Sequence, residues 1–279
     1  MSTPYADLVR DRFGEAPGPA WAELPEVEAI GRILARRTHR AYQDRPVPDA
    51  LVSLLCRAAL SASAKSDFQQ ASILLVRDTA KRAALAAPFP AMPWIGAAPV
   101  FLVFLGDARR LERLGALRGH PQDNGILEGF FNAAVDAALA LQTFILAAES
   151  AGLGCCPISV LRNEAPLVGE VLGLPDKVFP VAGLCVGWPA SEGHLSMRLP
   201  TALTMHVDRY DDAALETAIA DYDAQREARH PTPRDKQRAP SRFGYAERYG
   251  WSEDKARQSA QGEGAAFPPW LRDHGFTLG

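Results

Sequence analysis

Apolar positions recur along the chain with two periods, and these set out the expected elements. From Pro25, the run PEVEAIGRILARR places Val27, Ile30, Ile33 and Leu34 on one face, which predicts a helix. Asp49 is placed to cap a second helix, in which Leu51, Leu54, Leu55 and Ala58 form a stripe. Residues 61–70 are small and polar, and 72–76 read as a buried strand. The run AAPVFLVFL at 97–105 is continuous, aromatic and partly β-branched, so it is the best central strand. Residues 128–150 predict a helix that is apolar on almost every face, suited to the core of a domain or a dimer. Gly152 and Gly154 stop it. Two further strands follow, at 155–160 and 181–187, around a helix at 163–172 that ends at Gly173 and Pro175. Residues 1–25 hold four prolines and read as an arm, and the pattern turns irregular after Trp188 and Pro189. Interleaved helices and three or four strands give an α+β or α/β chain, with few strands for a doubly wound sheet.

Composition narrows the class. The chain has 279 residues, 47% apolar and 23% charged, with a net charge of −3. That is too apolar for a disordered chain and too neutral for one that coats nucleic acid. No run approaches the ~18–20 uninterrupted apolar residues of a membrane helix, and the start, MSTPYADLVRDRFG, lacks a signal-peptide pattern. Cys56, Cys155, Cys156 and Cys185 make no CxxC and read as reduced, buried thiols in a cytoplasmic protein. Residues 226–242 carry a net +4, which leaves −7 for the rest of the chain. The tail AFPPWLRDHGFTLG is aromatic and Pro-rich.

Most familiar motifs are missing. Gly152-Leu153-Gly154-Cys155-Cys156-Pro157 lacks the third glycine of a dinucleotide fingerprint and follows a helix, so it reads as a helix stop. There is no Walker A sequence, HExxH, GxSxG or zinc spacing. Arg36-Arg37-Thr38-His39-Arg40 gathers guanidinium groups and a hydroxyl, which suits a phosphate because Arg forks to phosphate oxygens. Taken alone it also reads as a solvated basic helix end. Lys65-Ser66 and, far along the chain, Arg198 add cations and a hydroxyl.

Taken in order, these segments resemble the nitroreductase family of FMN enzymes, in its NADPH-dependent flavin reductase and oxygen-insensitive nitroreductase branch. The resembling blocks are RRTHRAY, KSDFQQASILLVRD, VDAALALQTFILAAESAGLG, ISVLRNE and FPVAGLCVGWPA with MRLP, spread over residues 30–205. The resemblance implies a nitroreductase-like α+β fold, a small and mostly antiparallel sheet flanked by helices, in an intertwined homodimer. It implies one domain over 1–279, with arms at 1–25 and 266–279 that embrace the partner and a mobile basic loop at 226–242. It also implies FMN bound without a covalent link. Arg36, Arg37, Thr38, His39 and Arg40 match the motif on the FMN phosphate, ribityl chain and pyrimidine edge. Arg40 is the candidate cation for the charge gained near flavin N1 and O2 on reduction. Lys65, Ser66 and Phe68 match a second FMN loop, and Pro157, Ile158, Ser159 and Val160 a segment along the ring. Ser159-Val160 stands where relatives often have Gly-Gly. Arg198 matches a phosphate arginine, but Ser196 replaces the usual Lys, so looser FMN retention or compensation by Lys65 is expected.

No side chain is expected to act as a nucleophile. The resemblance implies a ping-pong hydride transfer from NADPH (or NADH) to nitroaromatics, quinones or free flavins, with the cofactor carrying the chemistry. Arg226, Arg229 and Arg234 are candidates for the NADPH 2′-phosphate; otherwise they belong to a solvated loop. Glu128, Asn132 and Asp136 form a polar stripe expected to meet solvent or pair across the dimer. No metal, nucleic acid or membrane partner is expected. Two alternatives stay open: an FMN enzyme of this fold dedicated to one catabolic or biosynthetic redox step, and a non-catalytic FMN-binding protein.

Overall fold

The computed structural model describes residues 5–16, 27–122 and 126–276. Its strands are β1 (Ala71–Leu75), β2 (Val100–Asp107), β3 (Gly154–Ile158) and β4 (Val178–Gly187). Its helices are α1 (Ala6–Phe13), α2 (Glu28–Leu34), α3 (Asp49–Leu60), α4 (Thr79–Ala86), α5 (Trp94–Ala97), α6 (Arg109–Arg118), α7 (Ile126–Ser150), α8 (Ala165–Leu172), α9 (Leu215–Arg229), α10 (Pro240–Phe243), α11 (Trp251–Ser259) and α12 (Phe267–Asp273). The chain divides into two compact units, Met1–Arg36 with His194–Glu263 and Arg37–Gly193 with Gly264–Gly279.

The sheet belongs to the second unit. Its order is β1-β2-β4-β3 and every pair is antiparallel. The run expected to be central is central: β2 lies between β1 and β4, with Phe101 opposite Cys185 and a register shift between Phe104 and Leu105. Alternate residues of β2 feed two cores. Leu102 and Phe104 pack with α3 and α7, where the Phe104 and Phe144 rings meet edge to face at 5.8 Å. Phe101, Val103 and Leu105 pack on the other side with Leu161 and Val168.

Helix α7 buries Ala133, Ala137, Ala140 and Ala148 together with Phe144 and Ile145. Its opposite face leaves Leu127, Phe131, Val135 and Leu139 exposed. The segment Leu127–Ser150 is long and apolar enough, by length and composition, to cross a bilayer, although no uninterrupted apolar run within it reaches that length. Polar residues do not prevent a high mean hydropathy. The packing of α7 on β2 and α3 is that of a core helix.

Three local expectations change. Asp49 is the first residue of α3 behind Pro48 and makes no capping bond; its carboxylate instead pairs with Arg77 at 2.8 Å. The buried stripe of α3 is Val52, Leu55 and Ala59, and Leu54 is exposed. The stripe expected on α2 is exposed at Val27, Ile30 and Ile33. In the tail, Trp270, Leu271 and Phe276 join Phe179 of the same chain in a third core. Trp270 comes so close to Gly169 that a Cβ there would lie 2.8 Å from the indole, so only glycine fits without movement. Residues 277–279 of that tail, and 1–4 and 17–26 of the N-terminal arm, lie outside the described residues.

The first unit gathers α1, α2 and α9–α11. Buried Arg257 donates to the Arg238 and Gly244 carbonyls and pairs with Glu253, which pins the 237–250 segment to α11. The expected mobile loop at 226–242 is built from regular pieces: the last turn of α9, a 3₁₀ turn at Arg234–Lys236, and α10. Charged residues at helical spacing hid α9 from an apolar pattern search.

Candidate functional site

In the second unit the site is organised around the 65–70 loop. Ser66, Asp67 and Gln69 have φ of 46°, 58° and 53°, a left-handed conformation that costs a non-glycine residue about 1 kcal/mol or more. Asp136, buried on α7, holds the loop at both ends. One carboxylate oxygen accepts from the Lys65 N–H at 3.0 Å and the other from the Gln70 N–H at 2.9 Å. The Gln70 carbonyl accepts from the Asp107 N–H at 2.8 Å, and Arg110 donates to the Gln69 carbonyl. The polar stripe on α7 is thus not a solvated or interface feature at Asp136; it is the anchor of this loop. Higher on the stripe, Asn132 donates to Glu128 at 3.1 Å.

The loop leaves Lys65 and Ser66 exposed and Phe68 half-buried. Gln70 is 1% exposed, and its Oε1 has no hydrogen-bond partner among the described residues. Such an atom in a native fold calls for a ligand or water. Beside the loop, a cavity of about 610 Å³ is lined by the end of α3, Asp67, Gln69, Arg110 and Asp136.

The second unit also carries the Arg37–Arg40 segment. Its backbone extends the sheet edge: the His39 N–H donates to the Cys155 carbonyl at 3.0 Å, and Tyr42 bridges to Pro189. The Tyr42 hydroxyl lies 2.7 Å from the His39 carbonyl and 3.2 Å from that of Cys185, and burial pushes its pKa far above the usual phenol range. Arg37 meets Glu192 at 3.3 Å, and its buried Nε has no partner among the described residues. Thr38 is half-buried. Arg40 is exposed, its guanidinium 5.6 Å from the Trp94 ring centroid, and the buried Trp94 Nε1 has no partner among the described residues. His39 departs from expectation. Its ring packs over Gly154, where a Cβ would lie 2.8 Å away, and Nδ1 lies 3.2 Å from the Ser191 carbonyl. That ring serves the fold. Ile158 likewise turns inward to the core, whereas Pro157 and Ser159 are exposed and Val160 is half-buried.

Arg36, Ser196 and Arg198 belong to the first unit. Buried Arg12, on α1, joins them: it donates to the Arg36 carbonyl and, at 2.8 Å, to the Ser196 carbonyl. A cavity of about 580 Å³ in this unit is lined by Phe13, Ser196, Arg198, Tyr222, Arg226 and Trp251 among others. Arg226 donates to the Tyr222 hydroxyl at 3.0 Å on its rim. Arg229 is committed elsewhere: its Nη1 donates to the Asp11 carbonyl at 3.0 Å, at the end of α1. Arg234 is exposed over the Tyr245 ring at 4.7 Å. The three candidate arginines therefore do not act as one cluster.

Sequence reasoning missed Gln70, Arg12 and the work of Asp136. An aspartate on an otherwise apolar helix was the available signal for Asp136. Gln70 stood inside a resembling block without a role. Arg12 gave no signal, because its partners are backbone carbonyls remote in sequence. Among the described residues no group of three or more His, Cys, Asp or Glu could hold a metal.

A small antiparallel sheet flanked by helices, with a clamped left-handed loop and arginines at the sheet edge, defines an α+β protein. The profile described as Nitroreductase family matches residues 33–188, and that described as Nitroreductase family, C-terminal domain, matches 196–279. The chain belongs to the nitroreductase family. It is 35% identical over 202 residues to FMN reductase [NAD(P)H] of Bacillus subtilis, covering 71% of this chain and 81% of the relative. It is 36% identical over 197 residues to the oxygen-insensitive NADPH nitroreductase of Salmonella typhimurium, covering 70% and 80%. Its fold matches the NADPH:FMN oxidoreductase of Vibrio harveyi, solved in complex with NAD+, with a TM-score of 0.76 and 30% identity over 89% of this chain and 98% of that one. The expected nitroreductase-like fold is therefore the one observed.

Proposed function

We propose that this protein is an FMN-dependent oxidoreductase that draws on NAD(P)H, with NADPH favoured, to reduce nitroaromatics, quinones or free flavins. Family membership supports the activity. The observation that carries the site is the buried Gln70 Oε1, without a partner among the described residues, at the end of a loop that Asp136 holds in a left-handed conformation. The residues fit FMN chemically. Its pyrimidine edge offers one N–H donor and two carbonyl acceptors. The second unit offers an acceptor at Gln70 Oε1 and donors at Arg37 Nε and Trp94 Nε1, which have no partner among the described residues.

When bound, FMN supplies the two-electron chemistry that connects donor and acceptor. The chain supplies position and charge. Arg40 offers a cation for the negative charge that reduction adds near N1 and O2. Lys65 and Ser66 project from the clamped loop, and Pro157 and Ser159 present the exposed end of β3. Arg36, Ser196 and Arg198 are assigned to a phosphate. Arg226, on a cavity shared with Arg198, is the residue favoured for the NADPH 2′-phosphate.

The oligomer assigned is a homodimer. Its support is the exposed stripe Leu127, Phe131, Val135 and Leu139 on α7, with exposed Leu54 and Leu60 on α3. Four free cysteines, three of them buried, suit a reducing cytoplasm.

Steady-state NADPH oxidation against a panel of nitro, quinone and flavin acceptors tests this reading. Parallel double-reciprocal lines with a broad acceptor profile are expected. One acceptor preferred by orders of magnitude would show a dedicated redox step instead, and no turnover with any acceptor would leave a binding protein.

A further inference from the structure

Helix α1 is tied to the segments that carry Arg36 and Arg198 by contacts in both directions. Arg12, on its last turn, is 5% exposed. Its Nε and Nη2 donate to the Leu34 carbonyl at 3.1 and 2.8 Å. Nη2 also donates to the Arg36 carbonyl, and Nη1 to the Ser196 carbonyl at 2.8 Å. In return the Arg198 N–H donates to the Arg12 carbonyl at 2.6 Å. One turn further, Glu15 accepts from both the Thr201 N–H and its hydroxyl. Arg229 closes the far side by donating to the Asp11 carbonyl.

The chemistry of the clamp depends on a guanidinium. Leu34 ends α2, so its carbonyl is one of those a helix leaves without an internal partner. Three carbonyls from two chain segments converge on one planar fork, which presents several donors in fixed directions. An ammonium group is a point donor on a flexible stem and does not reproduce this. The clamp fixes the backbone at Arg36 and at Ser196–Arg198 while leaving the Arg198 side chain exposed, where it lies 3.4 Å from the neighbouring Ser196 and Met197 carbonyls.

We infer that Arg12 is a positioning residue: it fixes the Arg36 and Arg198 backbones in advance so that their guanidinium groups meet a phosphate with less ordering on binding. The inference rests on the assignment of FMN as ligand. It adds an N-terminal helix to the binding machinery.

Riboflavin provides the test, because it has the ring and ribityl chain of FMN without the phosphate. Dissociation constants for both are measured on the flavin-free, full-length protein by quenching of flavin fluorescence. The proteins are wild type, Arg12→Lys, Arg12→Met, Arg198→Ala and the double variant Arg12→Lys/Arg198→Ala. Wild type is expected to prefer FMN. Arg12→Lys is expected to lose about tenfold or more of that preference, with riboflavin affinity unchanged. In the Arg198→Ala background the same substitution is expected to change the preference less, since the part of its effect that acts through Arg198 is gone.

If Arg12→Met does not fold, Arg12→Lys keeps the charge and the volume and decides the question. A folded Arg12→Lys protein with wild-type preference, or one that loses FMN and riboflavin equally, would overturn the inference. Full additivity with Arg198→Ala would also overturn it. A wild type that binds FMN no better than riboflavin would overturn the FMN-phosphate assignment itself.

Discussion

The Asp136 carboxylate accepts the Gln70 N–H at 2.9 Å, and its second oxygen accepts the Lys65 N–H at 3.0 Å. One side chain on α7 thereby sets both ends of a loop with three left-handed non-glycine residues. The loop's strain is compensated by charge-assisted hydrogen bonds made out of water, which are about twice as strong as neutral ones. The buried Gln70 Oε1 that results is a preformed acceptor.

Asp136→Asn keeps the shape but removes the charge and one acceptor. The expected loss is about 1–3 kcal/mol of stability together with weaker flavin binding. Urea denaturation and an FMN titration check both. An unchanged FMN affinity in a destabilised protein would separate the loop from the ligand.

Arg226 and Arg229 stand three residues apart on α9 and make different contacts, with the Tyr222 hydroxyl and the Asp11 carbonyl. Arg226→Ala is expected to raise KM for NADPH about tenfold with little effect on NADH, since only the former carries the extra phosphate. Arg229→Ala is expected to lower Tm by a few degrees through loss of its bonds to the α1 end, with the NADPH to NADH ratio unchanged. Equal effects on that ratio would contradict the division.

Leu139 lies on the exposed face of α7. Leu139→Glu is expected to convert a dimer into a monomer, because a charge placed in an apolar interface loses its water without gaining a partner. Light scattering after size exclusion measures this directly. A monomeric wild type would remove the assigned interface.

Burial and the neighbouring Cys156 push the Cys185 thiol from its ordinary value of 9.0 up to about 12. Its neutral form is the one the fold favours. The associated stability is complete below pH 9.0 and is lost as pH rises toward about 12, because the unfolded chain ionises first. The slope for one such group is about 1.4 kcal/mol per pH unit. Buried Tyr42, also raised, acts with the same sign. Tm measured from pH 8 to 11 is expected to fall, and Cys185→Ala to flatten the fall.

Much of the second unit was legible as pattern. The continuous apolar runs became β2 and β4, and the long apolar helix became α7, because burial on two faces leaves few other readings for such runs. In the first unit only α2 was legible, and its apolar positions Val27, Ile30 and Ile33 are exposed. Helix α1 lies inside a stretch whose prolines suggested an irregular arm, yet Tyr5, Ala6 and Val9 are buried. Helices α9 and α11 are largely charged and carry no continuous apolar stripe. At the site, charged and hydroxyl residues could be listed from the sequence, but their commitments could not. His39 turned to Gly154 and Ser191, Arg229 to α1, and Asp136 to two backbone amides. Backbone partners leave no mark in a sequence, since every residue offers the same amide and carbonyl.

The most direct test of the account is an absorbance spectrum of the purified protein, reconstituted with FMN, before and after anaerobic addition of NADPH. The account predicts bound-flavin bands near ~450 nm that bleach on addition, the general behaviour of a two-electron flavin site. A protein that stays colourless after reconstitution, or bands that persist under NADPH, would contradict it.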